Sequence, residues 1–296
     1  MNSHQYNSMA RCSAIFATLV VLGSSVSAGQ FVRVSPDLEL YYEEAGSGPA
    51  MIFIPGWTLT TEFFSRQHAH FSKRYRTISY DPRGQGRSSK TLENNHYTQH
   101  GADLKAFMDA LKLRDVILIA HSYGCFDAYA YFRAFGTANA QAFICIDESP
   151  KPTVVKEGDW GIYTTFEAMR SFNNDIIYNR REMMPKFAQS MVTRKVTGEE
   201  AGWFVEQVMK TPNYIAVGLG ISGDFVDYTY EAKAIDSQIP VLHVLSEQEG
   251  WTVAGKMWIK KNMPSSDVIS FGLHLMFWEF PDRFNAAIDA FLEKMN

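Results

Sequence analysis

Cysteine is scarce in this chain of 296 residues, which has only Cys12, Cys125 and Cys145. So few thiols argue against a disulfide framework, and Cys125 and Cys145 sit in or beside apolar runs, where a buried cysteine acts as a small hydrophobe. Metal motifs are missing too: none of His68, His70, His96 and His100 is set in an H-E-x-x-H or a Cys/His cluster, so no metal is expected. There is no basic excess, since 28 Lys and Arg face 32 Asp and Glu for a net charge of -4, which removes the electrostatic footprint of a nucleic-acid partner. Repeats and low-complexity tracts do not occur. Past the first 28 residues no apolar stretch is long enough to span a bilayer.

Those first residues read as a targeting segment. Arg11 supplies positive charge, Ala14 to Leu22 a short apolar core, and Val26-Ser27-Ala28 a small-residue cleavage site. The expectation is a signal peptide over 1–28, removed near Ala28, and a product that is secreted or periplasmic with no stable membrane anchor. Cys12 would leave with it. Roughly 270 residues then remain, enough for one large α/β domain with an insertion.

Short apolar or alternating runs occur at 30–35, 38–45, 50–55, 76–80, 116–121, 142–147, 241–246 and 267–271. From the third onward most alternate with helical patterns, which predicts a mostly parallel eight-stranded sheet with helices on both faces. Pro36-Asp37 between the first two runs predicts an antiparallel hairpin at the sheet edge. Leu104, Phe107, Met108 and Leu111 share one helical face, as do Phe284, Ala287, Ile288 and Phe291. Between 151 and 238 the alternation stops. That stretch holds Trp160, Tyr163, Phe166, Phe172, Phe187, Met191, Trp203 and Phe204, and reads as a helical cap inserted into a core made of 29–150 and 239–296, placing an apolar lid over the loop end of the sheet.

Ala120-His121-Ser122-Tyr123-Gly124 follows the apolar run Val116-Ile117-Leu118-Ile119 and opens a helical stretch. It fits the strained strand-to-helix turn G-x-S-x-G that lifts a serine hydroxyl clear of a sheet, with Ala120 in place of the first glycine. Ser122 is therefore the candidate nucleophile. A serine hydroxyl needs a base, and the base a group that orients it. His274, the last of the eight histidines, lies after the final strand run and before the final helix, where that base is expected. Gly84-Gln85-Gly86-Arg87-Ser88 suggests a phosphate loop, but it lacks a third glycine and a following helix, so it reads as a structural turn.

Pro55-Gly56-Trp57, the loop Asp81-Pro82-Arg83-Gly84-Gln85-Gly86-Arg87-Ser88, the serine elbow and His274 with Glu279-Phe280-Pro281 together resemble the α/β-hydrolase superfamily. Within it, the Asp81 loop and the cap segments 203–207 and 210–212 are similar to bacterial serine esterases grouped with cofactor-free haloperoxidases. The resemblance implies the α/β-hydrolase fold, no cofactor, and an oxyanion hole formed by the backbone N–H groups of Trp57 and Tyr123. It leaves the acid open. Relatives carry Gly-x-x-Asp after the seventh strand, and ungapped counting from 240–245 puts Ser246 at the glycine and Glu249 at the aspartate. Glu249 is the first choice, with Asp147 at the end of the sixth strand and Glu247 as alternatives.

The expected activity is hydrolysis of a carboxylic ester or lactone with an apolar, small-to-medium acyl group, through an acyl-enzyme. Perhydrolysis or carbon–carbon cleavage by the same triad, and a non-catalytic binding role, are the alternatives. Dehalogenase or epoxide-hydrolase chemistry would need a carboxylate where Ser122 stands. The expected partner is a small-molecule ester or lactone; oligomeric state is not legible.

Overall fold

A computed structural model describes residues 29–295; the segment expected to act as a targeting signal, with Cys12, lies outside the described residues. Eight strands, β1 (Gln30–Ser35), β2 (Leu38–Ala45), β3 (Ala50–Ile54), β4 (Arg76–Tyr80), β5 (Val116–His121), β6 (Ala140–Ile146), β7 (Val241–Leu245) and β8 (Asp267–Ser270), form one sheet. Their order across it is β1-β2-β4-β3-β5-β6-β7-β8. The first two pair antiparallel across Pro36-Asp37, β2 is antiparallel to β4, and every pairing from β4 through β8 is parallel. β3, β5 and β7 are buried at every position. Uninterrupted runs such as Met51-Ile52-Phe53-Ile54 are what a parallel sheet covered on both faces requires.

The covering helices are α1 (Ser65–Phe71), α2 (Tyr97–Ala110) and α3 (Gly124–Phe135) early in the chain. After the cap helices α4 (Phe166–Ser190), α5 (Gly198–Met209), α6 (Asn213–Asp224) and α7 (Thr229–Ile235) come α8 (Trp251–Asn262), α9 (Met276–Glu279) and α10 (Pro281–Glu293). Helical spacing explains what is buried. Leu104, Phe107 and Met108 of α2 and Phe284, Ile288 and Phe291 of α10 are in the core, and α10 starts on Pro281, whose missing N–H costs nothing there.

The chain leaves β3 for β4 on one side, and β5 lies on the other side of β3. Loops leaving β3 and β5 therefore diverge, opening a crevice at the carboxyl ends of the strands. The cap is fastened over this crevice by buried polar contacts. Arg180 of α4 donates to the Val208 and Thr211 carbonyls at 2.6 and 2.8 Å, and its guanidinium sits 5.5 Å over the Trp57 ring. The Trp57 indole in turn donates to the Ala216 carbonyl at 2.8 Å.

Candidate active site

Ser122 stands where β5 gives way to α3 and has φ 53°, a left-handed conformation that costs a non-glycine residue roughly 1–2 kcal/mol. Hydrogen bonds impose it. The Ser122 amide donates to the Ile146 carbonyl, and the Cys125 amide returns to the Ser122 carbonyl, both at 2.8 Å. The turn also has to pass the end of β3 closely: a Cβ on Gly124 would lie 2.5 Å from the Pro55 carbonyl, and one on Gly56 would lie 2.8 Å from the Ser122 Cβ. Ala120, in register with Ile54 and Cys145, is fully buried, so a methyl fits at the elbow's first position.

His274, in the loop between β8 and α9, presents Nδ1 to Asp147 Oδ2 at 2.7 Å. A carboxylate only accepts, so Nδ1 carries the proton and Nε2 is left as a base. Asp147, 2 % exposed, follows β6 directly. Its Oδ1 accepts from the Ser246 amide at 2.7 Å and from the Trp251 indole at 2.8 Å. Burial alone would push the Asp147 carboxyl up, but the His274 hydrogen bond and charge, aided by Ser246, hold it below the usual aspartate value.

The structure thus brings Asp147, and not Glu249 or Glu247, to His274. Both glutamates are exposed, and neither carboxylate bonds the imidazole. The loop after β7 reaches the site with its backbone: the Ser246 amide meets Asp147 while the Glu247 amide is tied to the Gly272 carbonyl at 2.8 Å. Asp147, one residue past a buried strand and with φ 52°, is aimed inward by its own turn.

Ser122 and His274 line one cavity of about 290 Å³, with Trp57 and Tyr123, Tyr163, Phe172, Phe187 and Met191 from the cap, and Glu148. The lid expectation needs trimming. Phe166 and Tyr178 point to solvent, Trp160 packs on Trp251 and Trp258, and Trp203 stacks on Trp278 at 6.0 Å, so only part of the cap's aromatic content faces the serine. The Trp57 and Tyr123 amides donate in none of the turn, loop and cap hydrogen bonds among the described residues, which leaves both available at the mouth of the crevice. The Tyr123 hydroxyl donates to Asp224 at 2.8 Å.

Three further residues of the candidate site were assigned no role from the sequence: Trp251, Glu148 and His121. The last sits in the elbow itself, its ring 4.5 Å from that of His274, and its Nε2 meets the His274 carbonyl at 3.0 Å. Burial first and the nearby His274 second push the His121 pKa far down, so it stays neutral beside an imidazole that can accept a proton.

The Asp81 loop is a structural turn, as its sequence implies. Asp81 accepts from the Thr61 and Arg87 amides at 2.8 and 2.7 Å, and the Lys90 ammonium donates to the Gln85, Gly86 and Ser88 carbonyls, tying the loop together from within. Gly84 abuts Ile215 of α6, so the loop supports the cap. Four other histidines have polar partners: His68 bridges Thr77 and Ser79, His70 pairs with Asp289, His100 pairs with Asp127, and His96 accepts from the Gln99 amide. Cys125 and Cys145 are buried free thiols.

Residues 49–174 match the family model described as alpha/beta hydrolase fold. The chain is 24% identical over 266 residues to the AB hydrolase superfamily protein YisY of Bacillus subtilis (strain 168), covering 89% of this chain and 98% of that one. It is 25% identical over 214 residues to the non-heme chloroperoxidase CPO-A1 of Kitasatospora aureofaciens, 70% and 77% of the two chains. Among solved structures, a bromoperoxidase from Bacillus anthracis superposes with TM-score 0.81 at 21% identity over 90% of this chain and 100% of that one. An esterase from Exiguobacterium antarcticum gives 0.81 at 20% over 90% and 100%, and an enol-lactonase from Burkholderia xenovorans LB400 gives 0.75 at 16% over 89% and 100%. By architecture and by these relatives, this chain has the α/β-hydrolase fold and resembles the bacterial esterases and non-heme haloperoxidases built on it.

Proposed function

We propose that the protein is an exported serine hydrolase that cleaves a carboxylic ester or lactone through an acyl-enzyme, with Ser122, His274 and Asp147 as its triad. The observation that carries this reading is the 2.7 Å contact between His274 Nδ1 and Asp147 Oδ2 in a site where Ser122, in a left-handed turn, shares a cavity with that histidine. Asp147 fixes the tautomer that leaves Nε2 basic. Ser122 Oγ attacks the carbonyl carbon as its proton passes to Nε2. The Trp57 and Tyr123 amides meet the charge that develops on the carbonyl oxygen. Collapse expels the alcohol, which takes the proton from His274, and water repeats the sequence to release the acid and free Ser122. The aromatic cavity wall supports an apolar acyl group of small or medium size.

Export rests on the sequence of residues 1–28. The haloperoxidase and perhydrolase names among the relatives, including a bifunctional esterase/perhydrolase of Acinetobacter calcoaceticus, favour one second reading, in which peroxide replaces water at the acyl-enzyme. A panel of acyl esters and lactones, with and without peroxide, tests both, alongside covalent labelling by an organophosphonate. We expect labelling and turnover in the wild type and neither in Ser122→Ala. Turnover that survives Ser122→Ala would refute the mechanism.

A further inference from the structure

Glu148 lies one residue beyond Asp147, is 1 % exposed, and lines the cavity beside Ser122 and His274. The proposed reaction gives it no task. Its Oε1 accepts from the Ser149 amide at 2.9 Å and lies 3.3 Å from the Ser149 hydroxyl. Among the described residues Oε2 has no protein partner, and no lysine, arginine or histidine pairs with the carboxyl. Burial first, then its neighbours Cys145 and Asp147, push its pKa well above the usual glutamate range against the pull of the Ser149 amide. Enclosed and with no cation to balance a charge, the carboxyl is favoured in its neutral acid form. With Oε1 engaged as an acceptor, the proton belongs on Oε2, the oxygen left to meet the cavity.

Three other polar groups of this wall already have partners. The Tyr123 hydroxyl donates to Asp224, the Ser190 hydroxyl to the Phe187 carbonyl, and Gln248 Nε2 to the Ser246 hydroxyl. Around them the lining is Trp57, Tyr163, Phe172, Phe187 and Met191. A plain alkyl chain filling this space would remove water from the Glu148 proton and return nothing, whereas a substrate oxygen would accept it. A buried donor left unpaired costs about tenfold to a hundredfold in affinity.

We propose that Glu148 is a specificity residue that donates a hydrogen bond from Oε2 to an oxygen acceptor on the buried chain of the substrate. The substrate class is thereby narrowed to esters or lactones bearing a second oxygen function, an ether, keto or further ester oxygen, in place of simple alkyl esters. This rests on the hydrolase reading above.

The test uses nitrophenyl esters of one acyl length: the all-carbon chain, chains with a single ether oxygen moved one position at a time, and a chain ending in an ammonium group. The readout is the ratio of kcat/KM for ether over all-carbon ester within each of wild type, Glu148→Gln and Glu148→Leu, so absolute activity does not enter. We expect the wild type to prefer one ether position by about tenfold or more. Glu148→Gln, which keeps a neutral donor, should retain most of that ratio, and Glu148→Leu should bring it to about one. No preferred position in the wild type, an unchanged ratio in Glu148→Leu, or a preference for the ammonium ester would overturn the proposal. The first and last of these need only the wild type, so a misfolded variant does not protect the idea.

Failure of the hydrolase reading looks different. In that case no ester is cleaved in a Ser122-dependent way, and calorimetric titration of wild type and Glu148→Gln with the matching ether-bearing and all-carbon amides reads the same preference as a ratio of dissociation constants. Tighter binding of an ether amide by both proteins sustains the Glu148 assignment, and equal binding of the two amides by the wild type overturns it.

Discussion

Replacing Asp147 by asparagine should reverse the histidine. Oδ1 of Asp147 accepts two hydrogen bonds, from the Ser246 amide at 2.7 Å and the Trp251 indole at 2.8 Å. In Asp147→Asn the amide oxygen must stay with those two donors, because turning the side chain over would set its NH2 group against two N–H groups. The NH2 then takes the place of Oδ2 and donates to His274 Nδ1, which must give up its proton, and the hydrogen moves to Nε2. The nitrogen proposed to serve Ser122 becomes a donor and can no longer accept the serine proton. An acid-to-amide change of this kind in a serine triad costs about 10⁴-fold in kcat, or about 5 kcal/mol of barrier. Steady-state hydrolysis of a nitrophenyl ester measures the loss, and KM should change little, since Asp147 supports His274 and does not line the serine's cavity. Glu249→Gln and Glu247→Gln, at exposed positions, should stay within a factor of about three. An Asp147→Asn enzyme within tenfold of wild type, or an equal loss on Glu249→Gln, would refute the tautomer argument.

Other expectations follow from the same contacts. Trp251→Phe removes one of the two donors on Asp147 Oδ1, a bond to a charged group, and should lower kcat by about tenfold with KM nearly unchanged; a wild-type kcat would show that Ser246 alone suffices. Ser122→Gly should abolish turnover yet raise stability by about 1 kcal/mol in denaturant unfolding, since glycine meets φ 53° without a Cβ clash, and a destabilised variant would contradict the strain assigned to the elbow. Glu148 has its folded pKa raised, so its contribution to stability is full below the pKa of the unfolded chain and is lost as pH rises toward the folded value. Urea titrations of wild type and Glu148→Gln should accordingly diverge as pH climbs above the ordinary glutamate range, the wild type losing ground, and parallel curves would count against a buried acid form.

Local pattern alone located the strands, because parallel strands covered on both faces need unbroken apolar runs and the chain shows eight short runs at those places. Ser122 and His274 were legible for the same reason: each is tied to a strand or helix boundary, and boundaries leave marks such as Gly124 and Pro281. The proposed acid left no such mark. Glu249, Glu247 and Asp147 are all carboxylates near strand ends, and choosing among them depends on which loop backbone turns toward His274, a property of the β6–β7 pairing and of the amide of Ser246 more than of any one residue type. The cap is similar: a helical stretch rich in aromatics predicts something to be buried, but whether Phe172 or Phe166 lines the cavity with the serine is fixed by where each falls when α4 lies on the sheet's loop end. Trp251, His121 and Glu148 became part of the site only once distant segments met, since a hydrogen bond across 104 residues, a ring against a ring 153 positions away, and a carboxyl enclosed by other elements have no period or spacing in the chain. Sequence determines what each segment must bury and where it must turn; only tertiary packing decides which polar atoms are left facing one another once water has been removed.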